Sequence, residues 1–261
     1  MSDPVWEKIQ QEAEVASEQE PMLSGFFFAT VLNHATLEDA LSFLLASKLE
    51  SSTLLASSVR DLLDEAYSKD ETIAESIRED LSAICDRDPA CGGFLNILLY
   101  YKGYHALQAY RAGHYYWNQG RHSLAAFLQS RISEVFAADI HPAAVIGKGI
   151  LIDHATSLVI GETAVVEDYV SMLHEVTLGG TGKEHGDRHP KVRHGVLISA
   201  GAKILGNVEI GANAKVGANA VVLEDVPPHT TVVGIPAKVV GVPTSESPAL
   251  EMNHSIDDSQ L

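Results

Sequence analysis

The sequence predicts an α+β protein in which an all-helical domain precedes a parallel β-helix of six-residue repeats. Residues 1 to about 137 carry apolar side chains at helical spacing, whereas aliphatic residues recur every six positions from Ile140 onward. A fixed period of six is typical of the hexapeptide β-helix, in which three repeats close one triangular coil. The change of period predicts a helical domain at 1–137, a β-helix domain at 138–243 and a flexible acidic tail at 244–261.

In the helical domain, capping residues and helix breakers mark the predicted ends of the helices. Thr36 can cap a helix that starts at Leu37, with a carboxylate at the third helical position. The segment 86–93 contains Pro89 and two glycines, which end helices. The predicted helices cover residues 37–45, 54–67, 71–85, 94–113 and 123–136.

In the β-helix, each aliphatic residue of the six-residue series is expected to point into the coil. There it stacks on its equivalents in the coils above and below, about 4.8 Å away. A two-residue slip after Ile152 resets the series, and residues 179–197 interrupt it. The expected inward residues are Ile140, Ile146, Ile152, Ile160, Val166, Met172, Leu178, Ile198, Ile204, Ile210, Val216 and Val222.

The interruption at 179–197 is predicted to be a polar, glycine-rich loop that protrudes from the solenoid. Such an excursion from a rigid scaffold is a common place for function, although a merely decorative loop is the alternative. Its cations are expected to form the local basic patch that an anionic ligand would require on an acidic protein. They are Lys183, Arg188, Lys191 and Arg193.

Charge and composition narrow the expected partners. With 18 basic and 35 acidic residues the chain has a formal charge of -17, which disfavours nucleic acid and anionic membranes as partners. The first residues are polar and acidic, so no secretory signal is expected. Cys85 and Cys91 match no metal or disulfide framework. They are expected to be reduced and structural, in a cytoplasmic protein.

Several motifs together resemble those of bacterial serine O-acetyltransferases, within the hexapeptide-repeat acyltransferase superfamily. The β-helix carries Asp-Ile-His-Pro-Ala at 139–143, Asp-His-Ala-Thr at 153–156 and Gly-Asp-Arg-His-Pro-Lys at 186–191. The helical domain carries Asp-Arg-Asp-Pro-Ala at 86–90 and Lys-Gly-Tyr-His-Ala-Leu-Gln-Ala-Tyr-Arg at 102–111. The resemblance covers about residues 5 to 243, and it implies that the β-helix is left-handed.

The resemblance implies transfer of the acetyl group of acetyl-CoA to L-serine, giving O-acetyl-L-serine and CoA. This reaction is the first step of cysteine biosynthesis, and it needs no permanently bound cofactor. In that family the residues matching His154 and Asp139 are catalytic, as general base and as the carboxylate that orients it. The implied serine-binding residues are Asp88, Asp153, Arg188 and His189, and the weaker acetyl-CoA candidates are Gly180, Thr181, Ala200, Lys215 and Lys238.

These residue types suit the chemistry. Histidine titrates near neutrality and can remove the proton of a hydroxyl that attacks a thioester. A carboxylate on the other ring nitrogen fixes the tautomer, and arginine can grip the carboxylate of an amino acid in a fork. Each also has a plainer interpretation: His154 as a surface group, Asp139 as a cap of the coil entrance, Asp88 as a turn residue. His141 is expected to be structural.

Three other functions remain open at this point. His154 and His174 are expected on one edge, with further histidines nearby, and some β-helix proteins of this architecture are zinc carbonic anhydrases. The serine motifs argue against a metal, and none is expected; the roles of His174, His185 and His194 are left open. The acceptor could instead be a sugar or homoserine, although sugar-acetylating relatives lack the helical domain with Asp88. A scaffold that has lost catalysis is disfavoured by the intact Asp139 and His154.

Assembly and regulation are also implied by the resemblance. The β-helix is expected to form trimers with active sites between subunits, and two trimers are expected to join through the helical domains. L-cysteine is expected to inhibit by occupying the serine pocket. In the family a C-terminal isoleucine inserts into O-acetylserine sulfhydrylase. Here the last residue is Leu261, so docking is expected, with a free solvated tail as the alternative.

Overall fold

The computed structural model describes residues 3–182, 185–254 and 256, and it has the predicted order of a helical domain followed by a parallel β-helix. The helices up to residue 136 are α1 (Pro4–Gln19), α2 (Ser24–Phe27), α3 (Leu37–Leu49), α4 (Ala56–Lys69), α5 (Glu71–Arg87), α6 (Phe94–Tyr100), α7 (Lys102–Asn118) and α8 (His122–Phe136). A 3-10 turn (Pro21–Leu23) and a π-helical turn (Phe28–Leu32) flank α2.

The helix ends confirm some predictions and correct others. Thr36 caps α3, because its side chain accepts a hydrogen bond from the Asp39 N–H at 3.2 Å. The single helix predicted over 94–113 is wrong, because the extended backbone of Tyr101 (φ -82°, ψ 101°) divides it into α6 and α7. The helix α1, which was not predicted, is capped by Asp3, whose side chain accepts from the N–H groups of Val5 and Trp6.

The β-helix has three faces, each a parallel sheet whose strands come from successive coils. The first face contains β1 (Ala138–Ile140), β4 (Leu158–Ile160), β7 (Thr177–Gly179), β10 (Lys203–Leu205) and β13 (Val221–Val222). The second contains β2 (Val145–Ile146), β5 (Val165–Val166), β8 (Lys191–Val192) and β11 (Glu209–Ile210). The third contains β3 (Leu151–Ile152), β6 (Ser171–Met172), β9 (Leu197–Ile198), β12 (Lys215–Val216) and β14 (Thr231–Val233), closed by the antiparallel β15 (Lys238–Gly241).

All the predicted inward aliphatic residues are buried, which confirms the six-residue register. The loop is shorter than predicted, because Lys191–Val192 forms a regular strand and Val192 stacks between Val166 and Ile210. Among the described residues, the irregular part of the loop is therefore limited to 180–182 and 185–190. Replacing one of the stacked residues, such as Ile204, with alanine would cost about 2–5 kcal/mol of stability.

A buried ion pair between α5 and α7 also hydrogen-bonds to the backbone of the first coil. The Asp80 carboxylate is fully buried and lies 2.6 Å from Nη2 of Arg111. It also accepts hydrogen bonds from the Ile150 N–H at 2.8 Å and from the Gln108 amide at 2.9 Å. Removing one partner of such a buried pair would cost about 3–5 kcal/mol, so the two domains are held in one arrangement.

The segment after the β-helix packs on the body where a flexible tail was predicted. The short helix α9 (Pro248–Glu251) lies near α5 and β9, and Ser171 donates a 2.8 Å hydrogen bond to the Ala249 carbonyl. The His254 imidazole lies 2.8 Å from the Ser199 hydroxyl. Leu261 and residues 257–260 lie outside the described residues. Within the described part of the chain, no helix is both long and apolar enough to cross a bilayer.

Candidate active site

The corner after β3 is irregular, and it is where the structure places His154. We call the edge between the third and first faces the His154 edge. Its lowest coil holds the two extra residues of the slip, and His154, Ala155 and Ser157 all adopt left-handed φ values near 60°. Such backbone is rare for residues other than glycine, and three of the four successive residues after Asp153 adopt it here. The His154 side chain is 70% exposed, with Nε2 3.7 Å from Oδ2 of Asp153.

The helical domain contributes groups to the same corner. Gly103 at the start of α7 touches β3 so closely that a Cβ atom there would lie 2.0 Å from the Ile152 carbonyl oxygen. This contact brings Lys102 to the corner, where Nζ donates to the Thr156 hydroxyl at 2.5 Å. It also brings Tyr101 there, whose hydroxyl donates to Oδ2 of Asp88 at 3.0 Å.

Asp88, Tyr101 and Asp153 form one electrostatic group. Oδ1 of Asp88 accepts a hydrogen bond from the Ala90 N–H at 2.8 Å, which holds the turn after α5. Burial, the hydrogen bond to Asp88 and the charges of Asp88 and Asp153 raise the pKa of Tyr101 to about 12. Tyr101 therefore stays a neutral donor. Two carboxylates on this edge match the need of a ligand's ammonium group.

The next coil places a second imidazole above His154. The rings of His154 and His174 are 5.6 Å apart in an edge-to-face arrangement, so the two histidines share one edge as predicted. His194 instead packs on Tyr169, 5.5 Å away at another edge. No group of three or more His, Cys, Asp or Glu side chains in the described residues is arranged to hold a metal ion.

Arg188 and His189 lie at a different edge, between the first and second faces, which we call the Arg188 edge. Thr163 organises it: its hydroxyl accepts hydrogen bonds from the backbone N–H groups of Arg188 (2.9 Å) and His189 (3.1 Å). The Arg188 guanidinium pairs with Glu162 at 2.6 Å. That hydrogen bond is the largest cause that lowers the pKa of Glu162.

The His189 ring is buried and has a defined tautomer. Its Nδ1 accepts from the Thr163 N–H at 3.2 Å, so the proton of the neutral ring is on Nε2. Burial, and then the Arg188 charge, lower the pKa of His189 and favour this neutral ring. Gly161 makes room for it, since a Cβ there would lie 2.0 Å from Cδ2.

Asp139 is not hydrogen-bonded to His154 in this chain. It projects from the first face, where Oδ1 accepts from the Gln129 amide at 2.7 Å. The carboxylate that lies near the His154 ring is that of Asp153. The orienting role that the resemblance implies for Asp139 stays a prediction, since Oδ1 is bonded to Gln129 and no hydrogen bond joins Asp139 to His154 here.

Of the five residues implied for acetyl-CoA, three divide between the two edges and two, Lys215 and Lys238, lie on strands of the third face. Gly180 and Thr181 begin the loop at the Arg188 edge, whereas Ala200 stands one coil above His174, whose carbonyl accepts from the Gly201 N–H. Lys215 is buried on the third face, where its charge helps burial to lower the pKa of His254. Lys238 is exposed on β15.

The expected basic patch is neutralised among the described residues. Arg188 pairs with Glu162, Lys191 with Asp187 at 2.5 Å, and Arg193 with Glu167 and Glu209 at 2.8 and 2.5 Å. Each cation thus has an acidic partner, a compensation that six-residue periodicity alone did not reveal. Lys183 lies outside the described residues.

A parallel β-helix with a histidine corner and a Gly-Asp-Arg-His-Pro loop defines a transferase of the hexapeptide-repeat class. A family model for bacterial transferase hexapeptides matches residues 189–224, and one for the N-terminal part of serine acetyltransferases matches residues 5–109. The chain is 55% identical to the serine acetyltransferase of Escherichia coli (strain K12) over 249 residues, which cover 95% of this chain and 91% of that protein. The chain belongs to the serine acetyltransferase family.

Solved structures agree with the sequence comparison. A serine acetyltransferase from Brucella abortus strain S19, in complex with coenzyme A, matches with a TM-score of 0.91 and 49% identity, covering 92% of this chain and 96% of that chain. A serine acetyltransferase in complex with cysteine matches with a TM-score of 0.95 and 53% identity, covering 97% and 98%. The fold and the family predicted from the sequence are thereby confirmed.

Proposed function

We propose that the chain transfers the acetyl group of acetyl-CoA directly to the hydroxyl of L-serine, giving O-acetyl-L-serine and CoA as the first step of cysteine biosynthesis. The observation that carries this proposal is the pairing of opposite charges on two edges. The His154 edge offers Asp88 and Asp153 for an ammonium group. The Arg188 edge offers a guanidinium that would exchange its present partner, Glu162, for the carboxylate of the substrate. Together they match an amino acid.

In this mechanism His154 acts as the general base. Its imidazole takes the serine hydroxyl proton as the oxygen attacks the thioester carbonyl, and the C–S bond then breaks. The imidazolium returns the proton to the departing CoA sulfur. Its exposure of 70% in a single chain leaves room for both substrates at this corner. Asp153 or Asp139 stabilises the imidazolium.

The complete site lies between subunits in this proposal. One chain carries the His154 and Arg188 groups on different edges of the prism, so neither edge alone holds base, ammonium site and carboxylate site. A trimer would place the His154 edge of one chain against the Arg188 edge of the next. Acetyl-CoA would lie in the same groove, which is consistent with Gly180 and Thr181 on one edge and Ala200 on the other. The relative solved with coenzyme A supports acetyl-CoA as donor.

Two trimers would join through the helical domains. Apolar side chains cluster near the start of the chain, where Met22 is 94% exposed and Phe28 57%. Exposed apolar clusters of this kind mark interaction surfaces. We define the N-terminal patch as Val15, Met22, Leu23, Phe26 and Phe28.

Feedback inhibition by L-cysteine follows from the same site. Cysteine differs from serine by sulfur in place of oxygen, so the groups that read the ammonium and carboxylate would hold it. The relative solved with cysteine supports this. Cytoplasmic location and docking of Leu261 into O-acetylserine sulfhydrylase complete the proposal, and both rest on the family resemblance.

The first experiment is a CoA-release assay with acetyl-CoA and L-serine, beside homoserine and a simple galactoside. We expect release with serine alone, and none with His154→Ala, whose oligomer stays intact. Turnover of another acceptor without serine would contradict the assignment of Asp88 and Arg188. Wild-type activity of His154→Ala would contradict the mechanism.

Co-expression of His154→Ala with Arg188→Ala tests the shared site. In randomly mixed trimers about a quarter of the interfaces join an intact His154 edge to an intact Arg188 edge. We expect the mixture to recover about that fraction of wild-type activity, while each variant alone is inactive. A mixture as inactive as its parents would place the whole site within one chain.

A further inference from the structure

The two cysteines flank the turn that carries Asp88, and their sulfur atoms are in contact. Cys85 belongs to the last turns of α5, and Cys91 lies three residues beyond Asp88. The Sγ atoms are 2.9 Å apart, and both residues are reduced and half-buried. No disulfide framework could be recognised in the sequence, because a pair six residues apart across a helix end has no characteristic spacing.

The distance between the sulfurs needs little change to become a covalent bond. A disulfide requires a sulfur–sulfur distance near 2.05 Å, so closure would shorten the present contact by about 0.9 Å. The backbone between the cysteines is already folded back on itself, because the Cys91 N–H donates to the Asp88 carbonyl at 2.9 Å. The fold of the Asp88 turn thus brings the two sulfur atoms into contact.

We propose that Cys85 and Cys91 form a reversible intrachain disulfide that displaces the Asp88 turn and weakens serine binding. The effect on serine rests on the proposed function, because it assumes that Asp88 holds the serine ammonium. Formation of the disulfide does not depend on that assumption.

The oxidant is a small disulfide such as oxidised glutathione. Cys91, flanked by the exposed Ala90 and Gly92, loses its proton and attacks one glutathione sulfur, which releases one glutathione thiolate. Cys85 then loses its proton and displaces the second glutathione from Cys91, which leaves the Sγ–Sγ bond. Two protons and two electrons leave the protein, and one oxidised glutathione becomes two reduced ones.

The second step is expected to be slow at neutral pH. Burial is the largest cause that raises the pKa of Cys85, and it persists after Cys91 has reacted, so the reactive Cys85 thiolate is scarce. The device would therefore respond to a sustained change of redox conditions.

Displacement of the turn would change the acceptor site because both oxygens of the Asp88 carboxylate accept hydrogen bonds. One carboxylate oxygen accepts from the Ala90 N–H within the turn, and the other accepts from Tyr101 outside it. A disulfide that draws the ends of the turn together would move the Ala90 hydrogen bond relative to the Tyr101 hydrogen bond, and so move the Asp88 carboxylate. Misplacement by about 1 Å can cost up to a hundredfold in an active site. We expect a serine KM about tenfold higher in the oxidised protein.

The test uses the full-length protein in reduced and oxidised glutathione. Alkylation followed by mass spectrometry counts the thiols, calorimetry measures serine binding, and CoA release gives the KM values. We expect one intrachain disulfide per chain and serine binding about tenfold weaker. The acetyl-CoA KM should stay within twofold, and dithiothreitol should restore the starting values.

Cys85→Ser and Cys91→Ser are the matched controls. After the same treatment, the molecules of either variant that carry no glutathione adduct should bind serine as the reduced protein does. The proposal is overturned by absence of the Cys85–Cys91 bond in excess oxidised glutathione, by a bond that leaves serine binding unchanged, or by an equal loss of binding in Cys85→Ser. Absence of acetyl transfer to serine in the reduced protein would instead refute the proposed function, and thiol counts and calorimetry would still decide the redox proposal.

Discussion

The Tyr101 hydroxyl donates a hydrogen bond to the Asp88 carboxylate at 3.0 Å, at the point where α6 gives way to α7. The interruption of the helix thus has a function in the proposed site, since it turns a donor toward the carboxylate that would hold the serine ammonium. Asp153 is near enough for its charge to raise the pKa of the same tyrosine. Tyr101 is a positioning residue by this geometry, acting on substrate through Asp88.

Replacing Tyr101 with phenylalanine removes this donor while keeping the ring. Hydrogen bonds to charged groups contribute about 1.5–3 kcal/mol, so we expect the serine KM to rise about tenfold. The acetyl-CoA KM and kcat should change less than threefold. Tyr100→Phe is the matched control, because Tyr100 is 54% exposed. An unchanged serine KM in Tyr101→Phe would remove the positioning role.

Gly103→Ala tests the contact between the helical domain and the His154 edge. The added Cβ would lie 2.0 Å from the Ile152 carbonyl oxygen, so α7 must move away from β3. We expect a loss of about 3 kcal/mol in stability and a large fall in serine turnover, because Tyr101 and Lys102 move with the helix.

Gly113→Ala in the same helix is the control. Its nearest neighbours would be 3.9 and 4.0 Å from the new Cβ, which is ordinary contact. Because alanine favours the helical state over glycine by about 1 kcal/mol, this variant should be as stable as the wild type or more so. Equal stability of both variants in urea unfolding would show that the close approach at Gly103 is unimportant.

The sequence predicted what depends on period and motif, and it missed what depends on how coils and helices meet. The aliphatic residues of the series from Ile140 to Val222 could be placed inward because their six-residue spacing defines the interior of every coil. The sequence could not show that Arg188 pairs with Glu162, since 26 residues separate them and only the stacking of the coils brings them together.

The role of Tyr101 and the partner of Asp139 were missed for a related reason. Tyr101 appears in the sequence as one more residue of an apolar helix, and its role arises where the helix breaks against β3. The carboxylate of Asp139 has Gln129 as its partner through the packing of α8 on β1. Side-chain partners of this kind are set by tertiary contacts, which neither periodicity nor a local motif encodes.

The N-terminal patch predicts how assembly responds to a charge. Phe28 is 57% exposed within this group of apolar side chains, and an aspartate there would place a charge in the proposed contact between trimers. We expect Phe28→Asp to halve the mass measured by light scattering and to retain serine acetylation. Leu223→Asp, at an equally exposed position of the β-helix (52%), is the control and should keep the full mass. A full-size assembly of Phe28→Asp would locate the contact elsewhere.

The buried His105 predicts a loss of stability in mild acid. Burial lowers the pKa of His105 to about 4, and the 2.7 Å hydrogen bond to the Leu98 carbonyl compensates in part. Since the folded pKa lies below the ordinary value of 6.5, its stabilising contribution is complete above pH 6.5. As the pH falls toward 4, the unfolded chain takes up the proton first, and this contribution of about 3 kcal/mol is lost.

His105→Gln isolates this effect, because glutamine can donate to Leu98 and does not titrate. His141, His189 and His254 also have lowered pKa values through burial, so the wild type and the variant will both lose stability in acid. The prediction concerns the difference in the free energy of unfolding between the two proteins. Measured by urea unfolding at fixed protein concentration, this difference should shift in favour of the variant by about 2–3 kcal/mol between pH 7 and pH 4.5. Parallel curves over this range would mean that the pKa of His105 is unchanged on unfolding.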